Sequence, residues 1–136
     1  MPMLDHHSED PPVRMTPADY DRLSILSATA YATLGGEMLS EELDRAVVVG
    51  ADDADRPFVR LYSQVEYLDL SSGRTRTLEV VPPDEADIDR SRVSVLSPVG
   101  AALIGLTAGD SYRWTGEDGR AHVFVIVDVG GAHVDA

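Results

Sequence analysis

The chain has 136 residues, with 11 Lys or Arg against 24 Asp or Glu and a formal net charge of −13, which fits one or two small modules rather than a large enzyme. Such a charge repels phosphate backbones and speaks against direct nucleic-acid binding, while suiting solubility or a basic protein partner. The absence of cysteine excludes disulfides, zinc–thiolate sites and thiol nucleophiles.

Residues 1–15 are polar and contain Pro11 and Pro12, which predicts a flexible tail. The opening MPMLDHHSEDPP lacks the basic start and apolar stretch of a secretory signal. No apolar run approaches the roughly 20 residues of a membrane span. A cytoplasmic location is expected. Thr16 then offers an N-cap, Pro17 a first helical position, and Asp19 the third residue of a capping box. Tyr20, Leu23, Leu26 or Ser27, Ala30 and Leu34 recur at helical spacing. Gly35-Gly36 interrupts the pattern, and Leu39, Leu43, Ala46 and Val47 resume it. Residues 16–49 therefore read as a short antiparallel helical hairpin, or stubby coiled coil, because neither stripe can be buried alone. Its first helix would be about 17 residues, roughly 25 Å long.

Residues 50–57, GADDADRP, read as a linker. Beyond it the period changes to two. Val59, Leu61, Val65 and Tyr67 alternate, so residues 58–69 are expected to form a strand. Ser71-Ser72-Gly73 turns into a second strand at Arg76–Val81. PPDEADIDRS is a polar loop, and Arg92–Leu96 a short strand. Ser97 caps a helix whose first residue is Pro98 and whose buried face holds Val99, Ala102, Leu103 and Leu106. Strands at Ser111–Trp114 and Ala121–Val129 flank a Glu117-Asp118-Gly119 turn. The expected class is α+β, with one helix on an antiparallel sheet of about five strands.

The run DEADIDRSRVSVLSPVGAALIGLTAGD at residues 84–110 resembles the C-terminal signature of the GreA/GreB family of transcription elongation factors. In that signature an acidic loop leads into a strand, an S-P helix start, a small-residue helix and a G-D turn. Leu43-Asp44-Arg45-Ala46 and the strand pair before the acidic loop extend the likeness. The short hairpin is similar to that of the Rnk subgroup, the regulators of nucleoside diphosphate kinase. The resemblance implies an FKBP-like domain over residues 58–136 that docks on RNA polymerase at the rim of its secondary channel. The hairpin would then point towards the channel. Leu96, Ser97 and Pro98, with Val99, map onto the family's docking region. Cleavage factors carry a polar residue where this chain has Leu96, so a more apolar contact is implied. They also place an acidic pair at the tip of a long coiled coil to help hold a metal ion. Here the expected tip, Leu34, Gly35, Gly36 and Glu37, offers one carboxylate. Glu41 lies one helical turn back, and two carboxylates must converge on Mg²⁺. A helix of roughly 25 Å also falls short of a deep channel. The implied activity is therefore regulation, in possible competition with cleavage factors and without stimulation of transcript cleavage.

Other candidates carry less. His6-His7 lack the convergence of a metal site. Asp52, Asp53 and Asp55 miss the calcium-loop pattern. Ser97 has no nucleophile elbow and no nearby His, which leaves capping as its role. His122 reads as a strand-edge residue, and His133 is close to the C-terminal end. Tyr112 and Trp114 share one strand face, either core or docking. Neither phosphate-binding glycine motif is present. The expectation is therefore a monomeric binding protein without metal or cofactor. The alternatives are a prolyl isomerase, argued from fold alone, and a regulator of nucleotide metabolism.

Overall fold

Thr16 opens the first helix as its sequence predicts. Its hydroxyl accepts the Asp19 N–H at 3.1 Å, and Pro17 occupies the first turn of α1 (Pro17–Thr29). The computed structural model describes residues 11–50 and 56–130. The readings for His6, His7, Asp52, Asp53, Asp55, His133 and most of the linker lie outside the described residues.

Three expectations at the N-terminal end are corrected. Val13–Met15, placed in a flexible tail, forms strand β1 with Val13 and Met15 buried. It pairs in parallel with β2 (Ala46–Val48). β1 is locked further by the Arg14 N–H donating to Gly105 O at 3.0 Å. Ala46 and Val47, expected on a helical stripe, belong to β2, because the second helix, α2 (Leu34–Asp44), stops at Asp44. The chain reverses at residues 30–33, not at Gly35-Gly36. Thr33 caps α2 by accepting the Gly36 N–H at 3.0 Å, so both glycines fall inside the helix, where they are buried.

The remaining strands are β3 (Gln64–Asp69), β4 (Arg74–Val81), β5 (Arg92–Ser94), β6 (Ser111–Thr115) and β7 (Ala121–Val129), with α3 (Pro98–Leu103) between β5 and β6. They form one sheet in the order β5-β4-β3-β7-β6. β4 and β5 pair in parallel, so the sheet is mixed rather than wholly antiparallel. The strand expected over 58–69 begins only at Gln64. Residues 58–63 instead make a bridge from Phe58 to Thr107 and a turn with Tyr62 at φ 76°. The apolar residues there mark burial without a strand: Phe58, Val59 and Leu61 are all buried.

One sheet face supplies the core. Val65, Tyr67, Leu78, Val80, Phe124 and Ile126 pack with Leu23, Leu39, Leu43 and Leu103 from the three helices. The result is a mixed α+β fold of two layers. No helix among the described residues is long and apolar enough to cross a membrane.

Candidate docking site

The S-P corner is built by its own hydrogen bonds. Val95 is fully buried and its N–H donates to Val81 O at 2.8 Å, which pins the end of β5 to the sheet. The Leu96 N–H donates to Ser94 Oγ at 2.9 Å. Ser97 Oγ donates to Ser94 O at 2.7 Å and accepts the Gly100 N–H at 3.2 Å. One hydroxyl thus closes the turn and caps α3, removing an orphan donor of the first helical turn. Pro98 needs no donor at that position. Gly100 is required here: a Cβ would stand 2.2 Å from Ser94 O.

Leu96, Ser97, Pro98 and Val99 are all half-buried, and Leu96 and Val99 pack against the core. What covers them in part is the N-terminal turn of α2. A Cβ on Gly35 would lie 1.8 Å from Leu96 O and 2.9 Å from Ser97 C, so the two backbones are in direct contact. The structure therefore brings together the two residue sets that the sequence kept apart. Leu34 and Gly35 press on the corner, Leu34 is half-buried against the core, and Glu37 is exposed on the same turn. Gly36 does not join them; a Cβ there would meet Ala30 O at 1.9 Å, so it holds the 30–33 reversal. The paired glycines do carry a signal in the sequence: two adjacent residues without Cβ inside helical spacing mark close backbone approach.

The exposed charges of the two elements that meet at the corner, α2 and the loop entering β5, are acidic except for Arg90. Glu37, Glu41 and Asp44 are exposed along α2, and Asp84 and Asp89 are exposed on the loop entering β5. That loop is ordered by the Asp87 carboxylate, which accepts the Asp89 N–H at 3.1 Å. Exposed carboxylates on both sides favour encounter with a basic surface.

Further contacts fix the helices to the body, and the long-range ones of Asp19, Tyr62 and Arg45 were not legible from sequence. Asp19 accepts the Leu61 N–H at 3.2 Å. Burial raises its pKa above the ordinary 3.8, opposed by that hydrogen bond and by the charges of Arg60 and Arg22. The Tyr62 hydroxyl donates to Glu85 Oε2 at 2.5 Å, and that hydrogen bond is the main cause of its raised pKa. Arg45 bonds Glu42 at 2.7 Å and Pro11 O at 2.6 Å, and stands 5.9 Å from the centre of the Tyr112 ring. Tyr112 is buried, and Trp114 stacks on His122 at 4.5 Å. Phe58 and Phe124 are 4% and 2% exposed, so both belong to the core.

Known proteins share this fold and sequence. Residues 53–130 match the family model described as transcription elongation factor GreA/GreB, C-terminal. The chain is 36% identical over 106 residues to the regulator of nucleoside diphosphate kinase of Escherichia coli (strain K12), covering 76% of this chain and 78% of that one. It is 33% identical over 72 residues to transcription elongation factor GreA of Thermodesulfovibrio yellowstonii, covering 53% of this chain and 46% of GreA. The chain thus spans about half of that longer relative. A solved GreA/GreB elongation factor from Nitrosomonas europaea is 33% identical and superposes with a TM-score of 0.70, over 90% of this chain and all of the other.

Proposed function

From the finding that this chain belongs to the GreA/GreB transcription elongation factor family, we propose that it regulates transcription by docking on RNA polymerase at the secondary-channel rim. The observation that carries this reading is the Leu96–Val99 corner: a half-exposed, partly apolar edge, held by the Ser94–Ser97–Gly100 hydrogen bonds and flanked by carboxylates. A preformed edge costs little ordering on binding, and acidic flanks aid encounter with a basic rim. Residues 58–136 act as an FKBP-like docking module, and α1 and α2, residues 17–44, as a short helical hairpin beside it. The protein works in the cytoplasm, where polymerase is.

The helices are too short for metal chemistry at the polymerase centre. α1 has 13 residues, about 20 Å at 1.5 Å per residue. Transcript cleavage is therefore not stimulated, and the chain competes with cleavage factors for the rim. RNA in stalled complexes stays intact when the chain is added; released 3′ fragments would contradict this. Co-purification with core polymerase tests the main reading. The wild type is captured, and a Leu96→Asp, Pro98→Ala double variant that remains folded is not. Failure of the wild type to bind would overturn the function, and retention by the variant would overturn the residue assignment. The name of the E. coli relative adds one further readout, nucleoside diphosphate kinase activity in cells lacking the chain.

A further inference from the structure

The sheet has a second face that the core does not use. Register places Leu68 opposite Val125, and the Leu70 N–H donates to Val123 O at 2.9 Å. Leu68 in β3, Leu70 just beyond its end, and Val123 and Val125 in β7 thus form one apolar strip over two neighbouring inner strands. None of them belongs to the core or packs against it. A β-bulge extends the strip. Asp128 opposes Glu66 and Ile126 opposes Tyr67, so Val127 is the extra residue of β7. Ile126 and Val129 are buried while Val127 and Asp128 between them are exposed, which puts both on the outer face. Leu70 is 53% and Val127 47% exposed. Antiparallel strands with one wet face normally alternate apolar with polar; β7 is apolar on both.

Apart from the Glu79–Arg92 ion pair (3.2 Å) towards the β5 edge, the charges on this face are polarised along the strands. Arg113 lies opposite Val123 at one end, while Glu66 and Asp128 pair at the other. Among the described residues these three form no ion pair with one another or with any neighbour. A two-fold axis lying in the interface and running across the strands reverses that polarity. It lays apolar strip on apolar strip and carries Arg113 of each copy to the Asp128 end of the other. We propose that the outer face of β3 and β7 pairs two copies of this chain, sheet on sheet. The interface is isologous, each copy presenting the same patch. The apolar strip on β3 and β7 forms the centre and the rest of the sheet the rim: the whole outer face, five strands at 4.8 Å spacing and about six residues of length, has about 500 Å², or about 1,000 Å² for the pair. That is the lower limit of a specific interface, so the pair is weak and reversible. This reading departs from the monomer expected from the sequence.

Sedimentation equilibrium of the whole chain from about 1 to about 500 μM tests this, a range that brackets transient interfaces of this size. The average mass rises from one chain to two. Val125→Asp abolishes the rise. Arg113→Glu weakens it by at least about tenfold, and adding Asp128→Arg to Arg113→Glu restores it by swapping the charges. Arg113 and Asp128 are exposed, so these two substitutions read the interface even where Val125→Asp fails to fold. A single-chain mass throughout, or association indifferent to the charge swap, overturns the proposal. So does a single-chain mass accompanied by loss of polymerase capture in Val125→Asp, which would give the face to polymerase.

Discussion

Replacing Gly35 by alanine adds one methyl group where the structure has no room for it. The new Cβ would stand 1.8 Å from Leu96 O, 2.7 Å from Leu96 C and 2.9 Å from Ser97 C. All three atoms are backbone, so no side chain can swing aside. Restoring an ordinary contact of about 3.5 Å requires α2 and the corner to separate by roughly 1.5 Å. That separation loosens Leu39 and Leu43, which are buried on the same helix. Overpacking of this kind costs about 1–3 kcal/mol. Alanine recovers part of the cost through helix propensity, at most about 1 kcal/mol and less in a first turn. The expected net loss is about 1–2 kcal/mol, which lowers Tm by about 3–10 °C for a chain of this size. Thermal and urea unfolding of Gly35→Ala measure it. Glu37→Ala, on the exposed side of the same turn, serves as the control and stays within about 0.5 kcal/mol of wild type. A Gly35→Ala protein as stable as wild type, or more so, would show that α2 does not abut the Leu96–Ser97 backbone.

Two other substitutions probe the framework. Ser97→Ala removes both the cap on Gly100 and the bond to Ser94, at an expected cost of about 1–2 kcal/mol, while Ser97→Thr keeps the hydroxyl and most of the stability. Urea midpoints decide, and equal midpoints for the alanine and threonine variants would contradict the capping role. The raised pKa of Asp19 means that the folded state favours its protonated form. The stability linked to this group is therefore fully present below the ordinary value of 3.8 and is lost as pH rises through the raised folded value. Asn can still accept the Leu61 N–H without carrying charge. Asp19→Asn is thus expected to gain stability over wild type at pH 7, and the gain shrinks as the pH is lowered towards 4. Asp19→Ala leaves the buried Leu61 donor unpaired and costs about 1–3 kcal/mol. An asparagine variant whose advantage grows on acidification would refute the assignment.

Where local chemistry decides the conformation, the sequence is readable. Ser97-Pro98 starts a helix, Thr16-Pro17 starts another, and Glu117-Asp118-Gly119 joins two strands because caps and turns depend on residues within a few positions. The acidic DEAD loop and the S-P helix likewise announce the family. The misreadings all involve distant contacts. Val13–Met15 looks like the end of a polar tail, and only β2 and Gly105 make it a strand. Phe58–Leu61 carries the apolar residues of a strand because it is buried, while its backbone turns at Tyr62. Gly35-Gly36 reads as a chain reversal because glycine is ambiguous between a turn and a close approach, and which one applies depends on Leu96, some sixty residues away. The same uncertainty hid the composition of the candidate site, since its two halves meet only after folding.

Competition for core polymerase between the labelled chain and a GreA-type cleavage factor tests the docking claim most directly. The account predicts mutual displacement, with the chain released as the factor is titrated and with the Leu96, Pro98 variant unable to displace the factor. Simultaneous binding of both proteins to one polymerase would contradict it.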